Sequence, residues 1–165
     1  SLLTPTLLTP LQQEVNTKGA FLLAKHFITS LPTPTTPATI VNLTTAGAWL
    51  ILPFMAGYSI SKLASQQLMA HLDAGYPNLT AISLHPGLVD TEMMDPAFQR
   101  FNKDTPELVG GVAVWLASEK AKFLGGRAIA AQWSVDDLVE REREIVEGGL
   151  LKMEMAGKLG VEQFQ

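Results

Sequence analysis

Two short β-branched apolar runs, Thr39-Ile40-Val41-Asn42-Leu43 and Leu79-Thr80-Ala81-Ile82-Ser83-Leu84, with a helix-forming stretch between them, constrain this chain more than any other feature. Each has the length and side-chain type of a buried strand. Each also runs into a terminator: Thr44-Thr45-Ala46-Gly47 after the first, and His85-Pro86-Gly87 after the second, where proline and glycine turn the chain. Between them, Ala56 to Ala74 reads as a helix that stops near Gly75 and Pro77. Strand, helix, strand is a βαβ unit, so the fold class is α/β with a parallel sheet. Ligands of such open sheets lie beyond the carboxyl ends of the strands. The loops holding Thr44/Thr45 and Pro86 to Thr91 therefore share one functional edge.

On the intervening helix, Tyr58 and Lys62 are four residues apart and so occupy one face. A free phenol titrates near ~10, and a cation beside it favours the phenolate and moves it towards a useful acid/base range. A lysine one turn away supplies that charge without a metal. A solvated helix face can show the same spacing, so the pair takes its meaning from the two strand-end loops around it.

With those motifs in order, the segment from about Leu11 to Met93 resembles the catalytic half of the short-chain dehydrogenase/reductase family. The family's Tyr-x-x-x-Lys falls on Tyr58 and Lys62, and its Pro-Gly-x-Val-x-Thr turn on Pro86, Gly87, Val89 and Thr91. Its helix motif falls on Asn16, Gly19 and Phe21. The resemblance implies that Tyr58 is the general acid/base for a secondary alcohol or ketone, and that Lys62 lowers its pKa and holds the nicotinamide ribose. It further implies that Asn16 positions a water on the proton path. Pro86, Gly87, Val89 and Thr91 would wrap the nicotinamide end of NAD or NADP, with Val89 lending a backbone N–H. The family usually has serine where Thr45 stands, thirteen residues before Tyr58. Threonine keeps the hydroxyl with a stiffer χ1, and Thr44 is the alternative donor. A homodimer or tetramer is implied by the resemblance alone.

No glycine-rich dinucleotide turn follows a strand: Gly110-Gly111, Gly125-Gly126, Gly148-Gly149 and Gly157 to Gly160 lack both its spacing and its preceding strand. In the family that turn, and the residue that separates NAD from NADP, precede the helix bearing Asn16. The expected fold is therefore a partial Rossmann-like parallel sheet of about three strands flanked by helices, lacking the first half of the doubly wound fold. Residues 1–165 form one domain in this reading, a fragment or truncated relative. The missing strands should lie on one side of the Ile40 to Leu43 strand, whose edge would otherwise be open. Two functions follow: an NAD(P)-dependent oxidoreductase, or a catalytically silent relative that serves as an interaction module.

A length of 165 residues with 47% hydrophobic and 17% charged residues suits one globular unit. A net charge of −4 without a basic patch argues against nucleic acid or an anionic membrane as partner. The absence of cysteine excludes disulfides and thiolate metal sites, and is compatible with a cytoplasmic setting. The apolar run Ala46 to Gly57, interrupted by Pro53, is too short for a bilayer span, and Ser1 to Pro10 lacks the basic flank of a signal peptide. Together with Glu92 to Asp104, that run would enclose a hydrophobic carbonyl substrate.

Leu8, Leu11, Val15, Leu22 and Phe27 recur at helical spacing, predicting a helix from about Thr9 to Leu31 that bears Asn16, ended by the stiff connector Pro32 to Pro37. Thr105 is placed to cap a helix over Pro106 to Ser118. Arg127 to Gln132 reads as a third strand, and Asp136 to Val146, with Ser134 and Asp137 spaced as a capping box, as a terminal helix. Trp49, Trp115 and Trp133 read as packing residues, His85 as a hydrogen-bonded structural histidine, and Asp90, Glu92 and Asp95 as solvated acids. No spacing of His, Asp and Glu resembles a metal site.

Overall fold

The computed structural model describes residues 10–92 and 104–154. Leu8, Thr9, Asp95 and most of the Glu92 to Asp104 segment lie outside them. Among the described residues, β1 (Ala38–Leu43), β2 (Leu79–His85) and β3 (Ala128–Ala130) form one parallel sheet in the order β1-β2-β3. The β1–β2 register runs from Ala38 opposite Leu79 to Leu43 opposite Leu84, and Ser83 faces Ala128 across the β2–β3 pair. This is the three-strand parallel sheet expected.

Burial follows position in the sheet. β2 lies between two strands and is buried along nearly its whole length, whereas β1 is half-buried and has no strand on its other edge among the described residues. That open edge is where the resemblance puts further strands.

The first helix, α1, combines a turn at Pro10–Gln12, a π-helical stretch at Gln13–Gly19 and an α-helical stretch at Ala20–Ser30. Helix α2 (Ala56–Gly75) follows β1 after a short 3₁₀ turn at Ala46–Ala48. One face of α2, with Ser61, Ser65, Gln66 and Met69 buried, packs on β2. Small side chains permit the close approach: Asn42 of β1 bonds to both Ser65 and Ser83 at 3.4 Å.

The opposite face of the sheet holds the apolar core, in which Ile82, Leu84 and Ile129 meet Val112 and Leu116 of α3 (Pro106–Leu116) and Leu124 of the 3₁₀ segment Glu119–Leu124. Fully burying each such leucine or isoleucine contributes roughly 1.5–3 kcal/mol. Thr105 caps α3 by accepting from Leu108 N at 3.2 Å, as its spacing predicts.

Two expectations need correction. The third strand covers only Ala128–Ala130, because the chain folds into a turn after it, with Trp133 N donating to the Ala130 carbonyl. The terminal helix divides into α4 (Val135–Glu140) and α5 (Glu142–Glu147), although bonds from Arg141 N to Asp137 O and from Ile145 N to Arg141 O carry across the kink. The periodic residues of α1 do not enter this chain's core: Leu11, Val15, Leu22 and Phe27 are exposed, and Ala24 is the buried residue of the Ala20–Ser30 stretch.

Candidate active site

The carboxyl ends of β1 and β2 and the first turns of α2 bring the predicted polar groups together. Lys62 Nζ stands 5.9 Å from the centroid of the Tyr58 ring, so the two share a face as their spacing requires. The same ammonium donates a 2.9 Å hydrogen bond to the carbonyl of Leu43, the last residue of β1. A lysine has three donors; one of them ties α2 to the strand end.

Burial raises the Tyr58 phenol above its ordinary 10.0, and the neighbouring Thr45 hydroxyl partly offsets the rise. Burial also lowers Lys62 from 10.5. The lowering of the Tyr58 pKa expected from Lys62 is therefore not the net result. Desolvation disfavours a charged phenolate more than the surrounding groups restore it. In this setting the Tyr58 phenol stays protonated and neutral across the neutral range.

Of the two adjacent hydroxyls, Thr45 is the one beside Tyr58. Thr45 caps the 3₁₀ turn by accepting from Gly47 N at 3.3 Å. Thr44 points the other way: it is 2% exposed and donates to Gln66 Oε1 at 3.1 Å inside the molecule.

Asn16 lies within the π-helical stretch of α1, a winding that recurs at functional sites. Its Nδ2 donates to Ser61 Oγ at 3.0 Å, and Ser61 Oγ donates to the Tyr58 carbonyl at 2.7 Å. Thr17 Oγ1 bonds the Ser61 carbonyl at 3.2 Å, and Gln13 Nε2 bonds the Gly57 carbonyl at 3.4 Å. Asn16 thus joins the helical turn that carries Tyr58. Sequence reasoning missed Ser61, for which the one available signal was a hydroxyl inside the Tyr-x-x-x-Lys spacing, next to Lys62.

After β2 the chain turns at Pro86 and Gly87, and Gly87 adopts φ +83°, a left-handed conformation that glycine tolerates best. Gly87 N donates to His85 Nδ1 at 3.4 Å, which accords with a structural histidine. The Trp49 ring meets His85 edge-on, with centroids 6.0 Å apart. Burial lowers the His85 pKa, and Asp104 opposes that shift. Leu88 N donates to Asp104 Oδ2 at 2.8 Å, Val89 bridges to Asp104, and Thr91 is exposed. Asp104 and its partner Gln132 were also missed, because no local pattern links them to the turn.

The loop between Ala46 and Gly57 presents Leu50, Ile51 and Phe54 to solvent, with Ile51 97% and Phe54 87% exposed. Phe54 sits at φ 66°, in the left-handed region that a bulky residue seldom occupies. Among the described residues, no group of three or more His, Asp or Glu is arranged for a metal, and no helix is long and apolar enough to cross a membrane.

Residues 9–132 match the family model described as enoyl-(acyl carrier protein) reductase. The chain is 35% identical over 147 residues to the short chain dehydrogenase mpl6 of Monascus purpureus, covering 86% of this chain and 50% of that protein. The short chain dehydrogenase andI of Emericella variicolor gives the same identity and coverage. The chain spans about half the length of the curated relatives it matches. Among solved structures, the angucycline C-6 ketoreductase LanV with bound NADP superposes with a TM-score of 0.64 at 22% identity, over 78% of this chain and 55% of that one. The NADPH-bound carbonyl reductase from chicken fatty liver gives 0.62 at 20% identity, over 80% and 59%. These two likenesses establish the fold: this is part of a Rossmann-type sheet. On the family model and the curated relatives, the chain belongs to the short-chain dehydrogenase/reductase family.

Proposed function

We propose that this chain supplies the catalytic half of an NAD(P)-dependent oxidoreductase that reduces a ketone to a secondary alcohol, or runs the reverse, with Tyr58 as general acid/base. The observation that carries the reading is the convergence of the Thr45 hydroxyl, the Tyr58 phenol and the Lys62 ammonium at the carboxyl end of β1. Membership of the family and the NADP- or NADPH-bound structural relatives support a nicotinamide cofactor.

The donor set fits the nicotinamide end of such a cofactor. Lys62 keeps two donors beyond its bond to Leu43, suited to ribose hydroxyls, and Pro86, Gly87, Val89 and Thr91 would line the carboxamide side. When bound, the cofactor supplies or accepts the hydride. In reduction, the Tyr58 hydroxyl gives its proton to the carbonyl oxygen as the alcohol forms. Thr45 orients that oxygen, Lys62 stabilises the phenolate left behind, and Asn16 supports the proton path through its bond to Ser61. The exposed Ile51 and Phe54, with Trp49 beside His85, favour a hydrophobic carbonyl substrate. Exposed Leu11, Val15, Leu22 and Phe27 on α1 suit a subunit contact in a homodimer or tetramer.

Tyr58→Phe in the complete natural polypeptide tests the assignment. Reduction of an aromatic ketone with NADPH should fall by about 10²- to 10⁴-fold, with NADPH affinity little changed. Unchanged turnover refutes the role of Tyr58.

The open edge of β1 favours a second reading for a polypeptide made of these residues alone, as a silent module that pairs with a partner strand. Micromolar binding of NADH or NADPH to the 165-residue chain would exclude it.

A further inference from the structure

We infer that Asp104, braced by Gln132, is a positioning residue that sets the peptide groups of the Gly87 to Val89 turn, and with them the direction of the Val89 N–H. The inference rests on the oxidoreductase reading and extends it to two residues that no motif contains.

A single carboxylate oxygen, Asp104 Oδ2, accepts from Leu88 N at 2.8 Å and from Gln132 Nε2 at 2.8 Å. The Asp104 backbone N–H in turn donates to the Leu88 carbonyl at 3.4 Å. Leu88 is thus held on both sides of its α-carbon by one residue. A trans peptide points its N–H and its C=O in opposite directions. Drawing the Leu88 N–H towards Asp104 therefore sends the Gly87 carbonyl away from it. Drawing the Leu88 carbonyl towards Asp104 likewise sends the Val89 N–H away. That N–H is the donor that the family resemblance lends to the nicotinamide end of the cofactor.

The brace fits flush against the turn. A Cβ built on Gly87 would overlap Gln132 Nε2 and Asp104 Oδ2, so glycine is required there by contact as well as by its φ of +83°. Gln132 lies just after β3 and Leu88 just after β2, so the brace also ties together the carboxyl ends of two neighbouring strands.

The test compares Asp104→Asn, Asp104→Ala and Gln132→Ala in the complete natural polypeptide. The readouts are NADPH binding, thermal melting and hydrogen exchange at the Leu88 amide. Asp104→Asn keeps an oxygen acceptor and should hold NADPH affinity within about threefold, whereas Asp104→Ala should weaken it by at least about tenfold and speed Leu88 exchange. Gln132→Ala should weaken binding by about threefold, and it carries the test if Asp104→Ala does not fold. Fast Leu88 exchange with unchanged NADPH affinity overturns the positioning role, as does equal loss in Asp104→Asn and Asp104→Ala. Failure of the unmodified protein to bind either dinucleotide overturns the oxidoreductase reading itself, and the positioning role with it. Retained binding in the unmodified protein with no effect of any variant overturns the positioning role alone.

Discussion

Lys62 Nζ lies 5.9 Å from the centre of the Tyr58 ring while bonded at 2.9 Å to the Leu43 carbonyl. The cation is thereby anchored to the strand end, and its distance from the phenol is held by the sheet as well as by the helix. Lys62→Met removes both the charge and the anchor. Turnover should fall by at least about tenfold, and the alkaline limb of the reduction profile should move to higher pH, because loss of a nearby cation disfavours the phenolate. Steady-state pH profiles of the two proteins check both outcomes.

The raised Tyr58 pKa has a defined sign. The proton donor persists below and through 10.0, so reduction should be level across neutral pH and decline only as the phenol ionises, while oxidation should rise over the same interval. For stability, a folded-state pKa raised above the unfolded value makes a contribution that is present in full below pH 10.0 and lost as pH climbs through the folded value. Tyr58→Phe should therefore flatten the alkaline end of a curve of stability against pH.

Thr44 and Thr45 should separate cleanly. Thr44→Val leaves the buried Gln66 Oε1 without its donor and should cost about 1–3 kcal/mol in urea unfolding. Thr45→Val should suppress turnover and cost less stability, since Thr45 is half-buried and its hydroxyl otherwise serves only the Gly47 cap. Thr45→Ser should retain activity.

Asn16 and Ser61 should be coupled. With Asn16 Nδ2 at 3.0 Å from Ser61 Oγ, a double-mutant cycle of Asn16→Ala and Ser61→Ala should return an interaction of about 0.5–1.5 kcal/mol in stability. Strict additivity would show that the contact contributes nothing.

Arg127 holds the carboxyl-terminal part of the described fold in place. Arg127 is 7% exposed, and its guanidinium donates to the carbonyls of Phe123, Gly125, Ile145 and Leu150 at 2.9–3.5 Å. Arg127→Ala strands several buried carbonyls and should lower stability on the order of 3 kcal/mol, read as a shift of the urea midpoint. Arg127→Lys should recover only part of it, because an ammonium cannot span the same set of carbonyls.

Much of the fold is legible in the chain because its signals are local. The β-branched runs become β1 and β2, the stretch from Ala56 becomes α2, and Thr105 and Ser134 cap the helices that follow them. Such signals act within a few residues, through periodicity and turn chemistry. The α1 stripe shows their limit. Leu11, Val15, Leu22 and Phe27 locate a helix by their spacing, yet spacing does not say what covers them, and in this chain they face outward.

The amino-acid sequence by itself determined the order of strands and helices and the chemistry available at the strand ends: a phenol and an ammonium one turn apart, a hydroxyl pair, and a Pro-Gly turn. Only the tertiary structure decided which hydroxyl stands beside Tyr58, in which direction its phenol is shifted, and that Asp104 holds Leu88 across 16 residues and Gln132 across 28. The physical reason is that burial and long-range pairing belong to the packed chain. Desolvation depends on what surrounds a group in space, and a hydrogen bond between distant residues leaves no periodic trace in either neighbourhood.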